Sequence, residues 1–210
     1  MKIENIRPGE IESRSFEIIT ELLGDKKLDP RYESVIKRCI HTSADFDYAD
    51  NLYFTDGVIE TIQEAIKSGA YIVTDTQMAR AGINKRRIEK YGGQVLCFIG
   101  DDDVAAEAKA RGVTRSFVSM EKASRLDRPV IFAIGNAPTA LIELYEMIKS
   151  GKYRPAFIIG VPVGFVNVEA AKDLILKTDV PYIINRGRKG GSNIAAAICN
   201  ALLYELRDEN

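Results

Sequence analysis

The chain holds one histidine, no tryptophan and only three cysteines in 210 residues. A single imidazole excludes a multi-histidine metal centre built within one chain. The cysteines, Cys39, Cys97 and Cys199, are odd in number, far apart and free of any Cys-x-x-Cys pair. That excludes a disulfide scaffold, argues against zinc and suits a reducing compartment. Charge of neither sign dominates: 29 Lys and Arg face 30 Asp and Glu, a net of −1. Nothing in that balance points to nucleic acid or to an anionic membrane. The longest nearly apolar stretch, 156–166, is too short to span a bilayer and is broken by Pro162 and two glycines. The opening MKIENIRPGE has no apolar signal core, so the expectation is a soluble, cytoplasmic protein. Common chemical signatures are missing as well: no GxxxxGK[ST], no GxGxxG after the first strand and no GxSxG. No repeat or linker composition interrupts the chain, and residues 1–210 read as one domain.

What remains is an ordinary globular composition, 46% apolar and 28% charged. The first third reads as helical. Ile11, Ser15, Ile18, Ile19 and Leu22 fall at helical spacing, and a second helix follows Pro30 with Val35, Ile36, Cys39 and Ile40 as its apolar side. A third runs from Asp56 to Gly69. Beyond residue 70 the period changes. Five short apolar runs, beginning at Tyr71, Val95, Val130, Ala156 and Tyr182, alternate with segments long enough for helices. Five such units predict a parallel sheet buried on both faces, a three-layer α/β/α domain with an N-terminal helical segment.

In such sheets ligands sit at the carboxyl ends of the strands. The segments there are Thr74-Asp75 with Met78 and Gly82, then Gly135 to Leu141, then Pro162 to Val166, then Arg186 to Ser192. Glycines let backbone approach a ligand closely, and they also simply make tight turns. Their accumulation on one edge favours a binding site. His41 is the acid–base candidate, since imidazole titrates nearest physiological pH; a lone histidine is otherwise often a hydrogen-bonded structural residue. Arg38 lies three residues before it, on the same helix face. Ser15 interrupts the apolar face of the first helix, bordering a ligand or bonding back to its own helix. Arg115, and Arg186 with Arg188 ahead of Gly190-Gly191-Ser192, form an anion-binding pattern at helix starts. An aromatic cluster, Phe46, Tyr48, Leu52, Tyr53 and Phe54, serves either as interface or cleft wall, or as core. Spacing and chemistry alone describe a metal- and cofactor-independent acid–base enzyme with an arginine-lined cleft for a polyanion.

These blocks resemble the precorrin-8X methylmutase family and its cobalt-precorrin-8 counterparts, isomerases of corrin-ring biosynthesis. The resemblance runs nearly end to end: Arg14-Ser15-Phe16, Arg38 with His41, Thr74-Asp75 with Met78 and Gly82, Thr114-Arg115-Ser116, Gly135 to Leu141, Pro162 to Val166, and Arg186-Gly187-Arg188 with Gly190-Gly191-Ser192. It implies a flavodoxin-like fold, a homodimer, no cofactor, and a methyl shift between adjacent ring-C carbons giving hydrogenobyrinate or cobyrinate. It implies that His41 donates or accepts the proton and that Ser15 and Arg38 contact the substrate. Arg115, Arg186, Arg188, Asn136 and Gly164 complete the expected substrate-binding set. Two departures are visible: Ala170-Ala171-Lys172 stands for the family's frequent Glu-Ser-Lys, and Thr42-Ser43-Ala44-Asp45 after His41 differs from some members. Two other classes fit parts of the pattern. A tetrapyrrole-binding module needs the arginines but not His41, and a small phosphatase or nucleotide binder would use the Arg186–Ser192 turn.

Overall fold

The structure is a computed structural model that describes residues 3–206. After a short 3-10 turn (Pro8–Glu10) come α1 (Ile11–Leu23), α2 (Glu33–Ser43), α3 (Tyr48–Asn51), β1 (Leu52–Phe54) and α4 (Val58–Lys67). Then follow β2 (Tyr71–Thr74), α5 (Gln77–Gly82), α6 (Lys85–Glu89), β3 (Val95–Leu96), α7 (Asp102–Arg111) and α8 (Arg115–Ala123). The last third holds β4 (Val130–Ile134), α9 (Pro138–Lys149), β5 (Phe157–Gly160), α10 (Val168–Ile175), β6 (Tyr182–Asn185) and α11 (Ser192–Glu205).

The sheet order is β1-β6-β5-β4-β2-β3. Five strands pair parallel, as the five apolar runs require, and their order is the flavodoxin-like one. The sixth is a correction to the expected count. β1 adds antiparallel to β6, with Leu52 opposite Asn185 and Phe54 opposite Ile183. Three residues between polar flanks carry no periodicity, and the partner lies about 130 positions later, so no local signal announces this strand.

Alternation along the strands divides the core in two. Every residue of β4 is fully buried, as a central parallel strand covered on both faces must be. Ile131 and Ala133, with Ile72, Ile159 and Ile183, pack beneath α2, α4 and α11. Phe132 and Ile134, with Val73, Ile158 and Ile184, pack beneath α8, α9 and α10. The aromatic cluster belongs mainly to the core. Tyr48 is buried, Phe46, Leu52 and Phe54 pack against the first core, and Phe54 stacks on Tyr32 at 4.1 Å. Only Tyr53 turns outward. The face of α1 behaves in the opposite way. Ile19 is buried, whereas Ile11, Ile18 and Leu22 are exposed by 53, 37 and 66%. No helix among the described residues is long and apolar enough to cross a membrane.

At the point where strand order reverses, between β2 and β4, a doubly wound sheet opens a crevice. Here Asp75 fills it. Its buried carboxylate accepts the N–H groups of Gly135 at 2.9 Å, Asn136 at 2.8 Å and Ala137 at 2.6 Å. Burial pushes its pKa up, and the three N–H bonds oppose that. Asp75→Asn presents an amide N–H₂ where an N–H already points, and should cost roughly 1–3 kcal/mol in denaturant unfolding. Wild-type stability in that variant contradicts the assignment.

On the opposite side of the molecule Glu143 is buried along a cavity of about 530 Å³ lined by Arg111, Phe117, Glu121 and Tyr153. Burial, helped by the negative charge of Glu121, pushes its carboxyl up to about 7. The folded state therefore holds this proton to higher pH than the unfolded chain does. The resulting stabilisation is complete below the ordinary carboxylate range and lost as pH rises through about 7. Glu143→Gln should accordingly melt higher than wild type at pH 8, with a flatter pH dependence between pH 5 and 8. Parallel melting curves across that window would rule this out.

Candidate active site

The last turn of α2 carries His41, exposed, with the ring edge-on to Phe16 of α1 at 5.7 Å between centroids. Arg38, one turn earlier, lays its guanidinium over Phe16 at 5.1 Å and over Tyr204 at 5.3 Å, and pairs with Glu12. Its Nε is buried and has no hydrogen-bond partner among the described residues. Stacking and one ion pair thus fix the guanidinium while leaving a donor uncommitted. Ser15 sits one position before Phe16, and its hydroxyl donates to Ile11 O at 3.0 Å, the back-bond common for helical serine. Phe16 of α1 thus contacts both Arg38 and His41 of α2, and Ser15 is its neighbour in sequence. Phe16 is the member that spacing alone did not single out, although it completes the Arg14-Ser15-Phe16 block.

The chain after His41 is tied to the carboxyl edge of the sheet. Asp45 and Asp47 both accept the Lys189 ammonium at 2.6 Å. Lys189 lies in the turn from β6 to α11, between Arg186 and Arg188 on one side and Gly190-Gly191 on the other. This turn sits against its neighbours without slack. A Cβ on Gly190 would lie 2.0 Å from Val161 O, and one on Gly135 would lie 2.7 Å from Gly191 O. Only glycine permits either approach. Thr76 and Ser192 share a hydroxyl hydrogen bond at 2.7 Å. The turns after β2, β4, β5 and β6 thereby form one continuous platform.

On that platform Arg186 is exposed and covers the Tyr53 ring at 4.2 Å. Arg188 is exposed, paired with Glu169 at 2.8 Å and set over Phe165 at 5.8 Å. Gly164 adopts a φ of 141° and donates its N–H to Arg188 O at 3.1 Å. The Asn136 side chain is exposed and makes no hydrogen bond among the described residues, its N–H being held by Asp75. Arg115 opens α8, whose Thr114 N-cap accepts the Phe117 N–H and bonds Thr139 at the start of α9. It is therefore at the same edge but on the far layer, across the sheet from α2. The stretch that follows His41 meets the Arg186–Ser192 turn through Asp45 and Asp47; Arg38 instead packs against Phe16 and against Tyr204 in the last turn of α11, and Arg115 stands apart on the other layer. Lys172 of α10 is fully buried beneath the turn, donating to Gly187 O at 2.7 Å and Lys189 O at 2.9 Å. Burial lowers its pKa to about 8. A lysine in a surface-helix pattern reads as solvated, so its sequence position does not disclose this role.

Comparisons with known proteins converge on one group. The family described as Precorrin-8X methylmutase matches residues 10–205. A cobalt-precorrin-8 methylmutase of Priestia megaterium is 45% identical over 197 residues, covering 94% of this chain and 88% of that protein. A precorrin-8X methylmutase of Pseudomonas aeruginosa is 37% identical and covers 97% of this chain and 99% of that protein. The crystal structure of a precorrin-8X methylmutase from Thermus thermophilus superimposes with a TM-score of 0.84 at 36% identity, over 93% of this chain and 96% of that one. Family pattern, curated relatives and solved structure agree over almost the whole chain, and this protein belongs to the precorrin-8X methylmutase family.

Proposed function

We propose that the protein is an isomerase of cobalamin biosynthesis that moves a methyl group between adjacent ring-C carbons of precorrin-8X or cobalt-precorrin-8. The observation that carries this reading is the placement of His41 beside Arg38 and Phe16, on a segment pinned by Asp45 and Asp47 to the Arg186–Ser192 turn. A proton source thereby adjoins a cationic, glycine-walled edge. A corrinoid precursor bears many acetate and propionate groups, and Arg38, Arg186 and Arg188 supply fork-shaped donors for them. Asn136 and Gly164 lie in turns of the same edge, Ser15 would meet the substrate from α1, and Arg115 would meet the periphery of a macrocycle extending across the sheet.

In this reading His41 protonates the conjugated macrocycle, the polarised ring system allows the methyl to migrate, and the proton returns to His41. Composition is unchanged, so the step consumes no methyl donor or reductant. Positioned acid help of this kind is worth about 10²–10⁴ in rate, and holding the flexible ring in a reactive conformation lowers the barrier further. His41→Ala should leave the fold and corrinoid binding intact while turnover of the precursor, supplied both metal-free and cobalt-loaded, falls by at least about 10²-fold. Near-normal turnover in a folded variant removes the mechanism. The salt dependence of binding checks the arginines: Arg186→Ala should weaken affinity at low ionic strength and less at high.

Exposed apolar side chains flank the site. Ile11, Ile18 and Leu22 surround Ser15, while Val163, Phe165 and Val166 lie next to Arg188, Phe165 being 84% exposed. Water-exposed apolar patches beside a site are covered in working assemblies by partner or ligand, and two-fold dimers are the commonest soluble assembly. We therefore propose a homodimer in which these surfaces, rather than the Phe46–Phe54 aromatics, meet the second copy or the macrocycle. Light scattering at micromolar concentration should give about twice the 23.3 kDa chain mass; a monomer mass refutes the dimer.

A further inference from the structure

The turn between β6 and α11 has an unusual division of its backbone groups. Its four successive carbonyls are all satisfied from inside. Arg186 O accepts from Asn185 Nδ2 at 3.2 Å, Gly187 O from Lys172 Nζ at 2.7 Å and Arg188 O from Gly164 N at 3.1 Å. Lys189 O accepts from both Lys172 Nζ and Asn185 Nδ2, each at 2.9 Å. The N–H groups of Gly187, Arg188, Lys189 and Gly190 have no acceptor among the described residues. Two flanking amides are spoken for, Arg186 N by Asn51 O and Gly191 N by Val161 O, so the free donors form one uninterrupted run. Behind the run lies the fully buried Lys172 ammonium; ahead of it the side chains of Arg186, Arg188 and Lys189 are exposed. Just beyond, α11 starts without a side-chain cap, leaving the N-terminal amides of a 14-residue helix at the same place.

Consecutive backbone N–H groups that face outward, with their carbonyls turned away, make a concavity for an anion. Positive charge buried behind such a concavity is screened little by water. We infer that residues 187–190 form a backbone carboxylate-binding loop, with Lys172 as the positioning residue that turns its carbonyls inward. The ligand class is an aliphatic carboxylate, and the inference rests on the corrinoid reading only in naming a macrocycle side chain as the natural source of that group.

The test is a titration of the isotopically labelled full-length protein with succinate, followed by amide nuclear magnetic resonance. Saturable downfield shifts are expected at Gly187, Arg188, Lys189 and Gly190. Lys172→Met should weaken succinate binding by about tenfold, the scale of a lost charge-assisted contact. Lys172→Arg, which keeps a charge and a carbonyl donor, should restore most of it. In turnover, Lys172→Met should raise KM for the corrinoid with kcat little changed. Shifts that do not saturate, that spread evenly over the surface, or that persist unweakened in Lys172→Met overturn the proposal. Should Lys172→Met fail to fold, the wild-type titration decides alone. A chain that binds succinate at these amides yet turns over no corrinoid keeps the loop and loses the methylmutase reading. Turnover without any succinate response does the reverse.

Discussion

The Asp75 carboxylate holds together what the strand order would otherwise leave open. A doubly wound sheet has a crevice where its winding reverses, and here three N–H groups of the turn after β4 close on one buried acid at the end of β2. With that turn fixed, Gly135 seats against Gly191, Gly190 seats against Val161, and Lys172 reaches the β6–α11 turn from below. The platform is thus built by close backbone approach together with the buried Asp75 and Lys172 side chains. Asp75 occupies the crevice common to this fold, and the proposed function sets the ligand to one side of it, toward α2 and the β6–α11 turn.

Much of this is legible in the sequence. The five apolar runs gave the parallel sheet because a strand covered on both faces has no polar positions to spare, as β4 shows. His41 and Arg38 were visible through helical spacing, and the Arg186–Ser192 turn through its glycines and arginines. Other features depend on contacts between distant segments and leave no local trace. β1 exists because β6 offers it an edge. Lys172 is indistinguishable in sequence from a solvated lysine, and only the burial of α10 against the turn reveals it. The aromatic cluster, which the sequence left open between wall and core, mainly fills the core, while most of the apolar face of α1 lies open. Periodicity identifies an apolar face but not what covers it.

The same asymmetry informs the function. A polyanionic macrocycle needs cationic donors around its rim and apolar surface against its ring face, and the carboxyl edge offers both. Arg186 stacked on Tyr53 and Arg188 set over Phe165 are pre-ordered guanidiniums, so less freedom is lost when each meets a carboxylate. Their exposed apolar neighbours are what a ring face or a second subunit would cover.

The proposed reaction takes place at this edge, beside His41. A crystal structure with the rearranged corrinoid product bound tests it most directly. The claim predicts the macrocycle lying against α1 and the end of α2, with His41 facing its conjugated ring system and at least one peripheral carboxylate on the 186–190 turn. A product seated instead in the cavity between α8 and α9, beside Glu143, would contradict it.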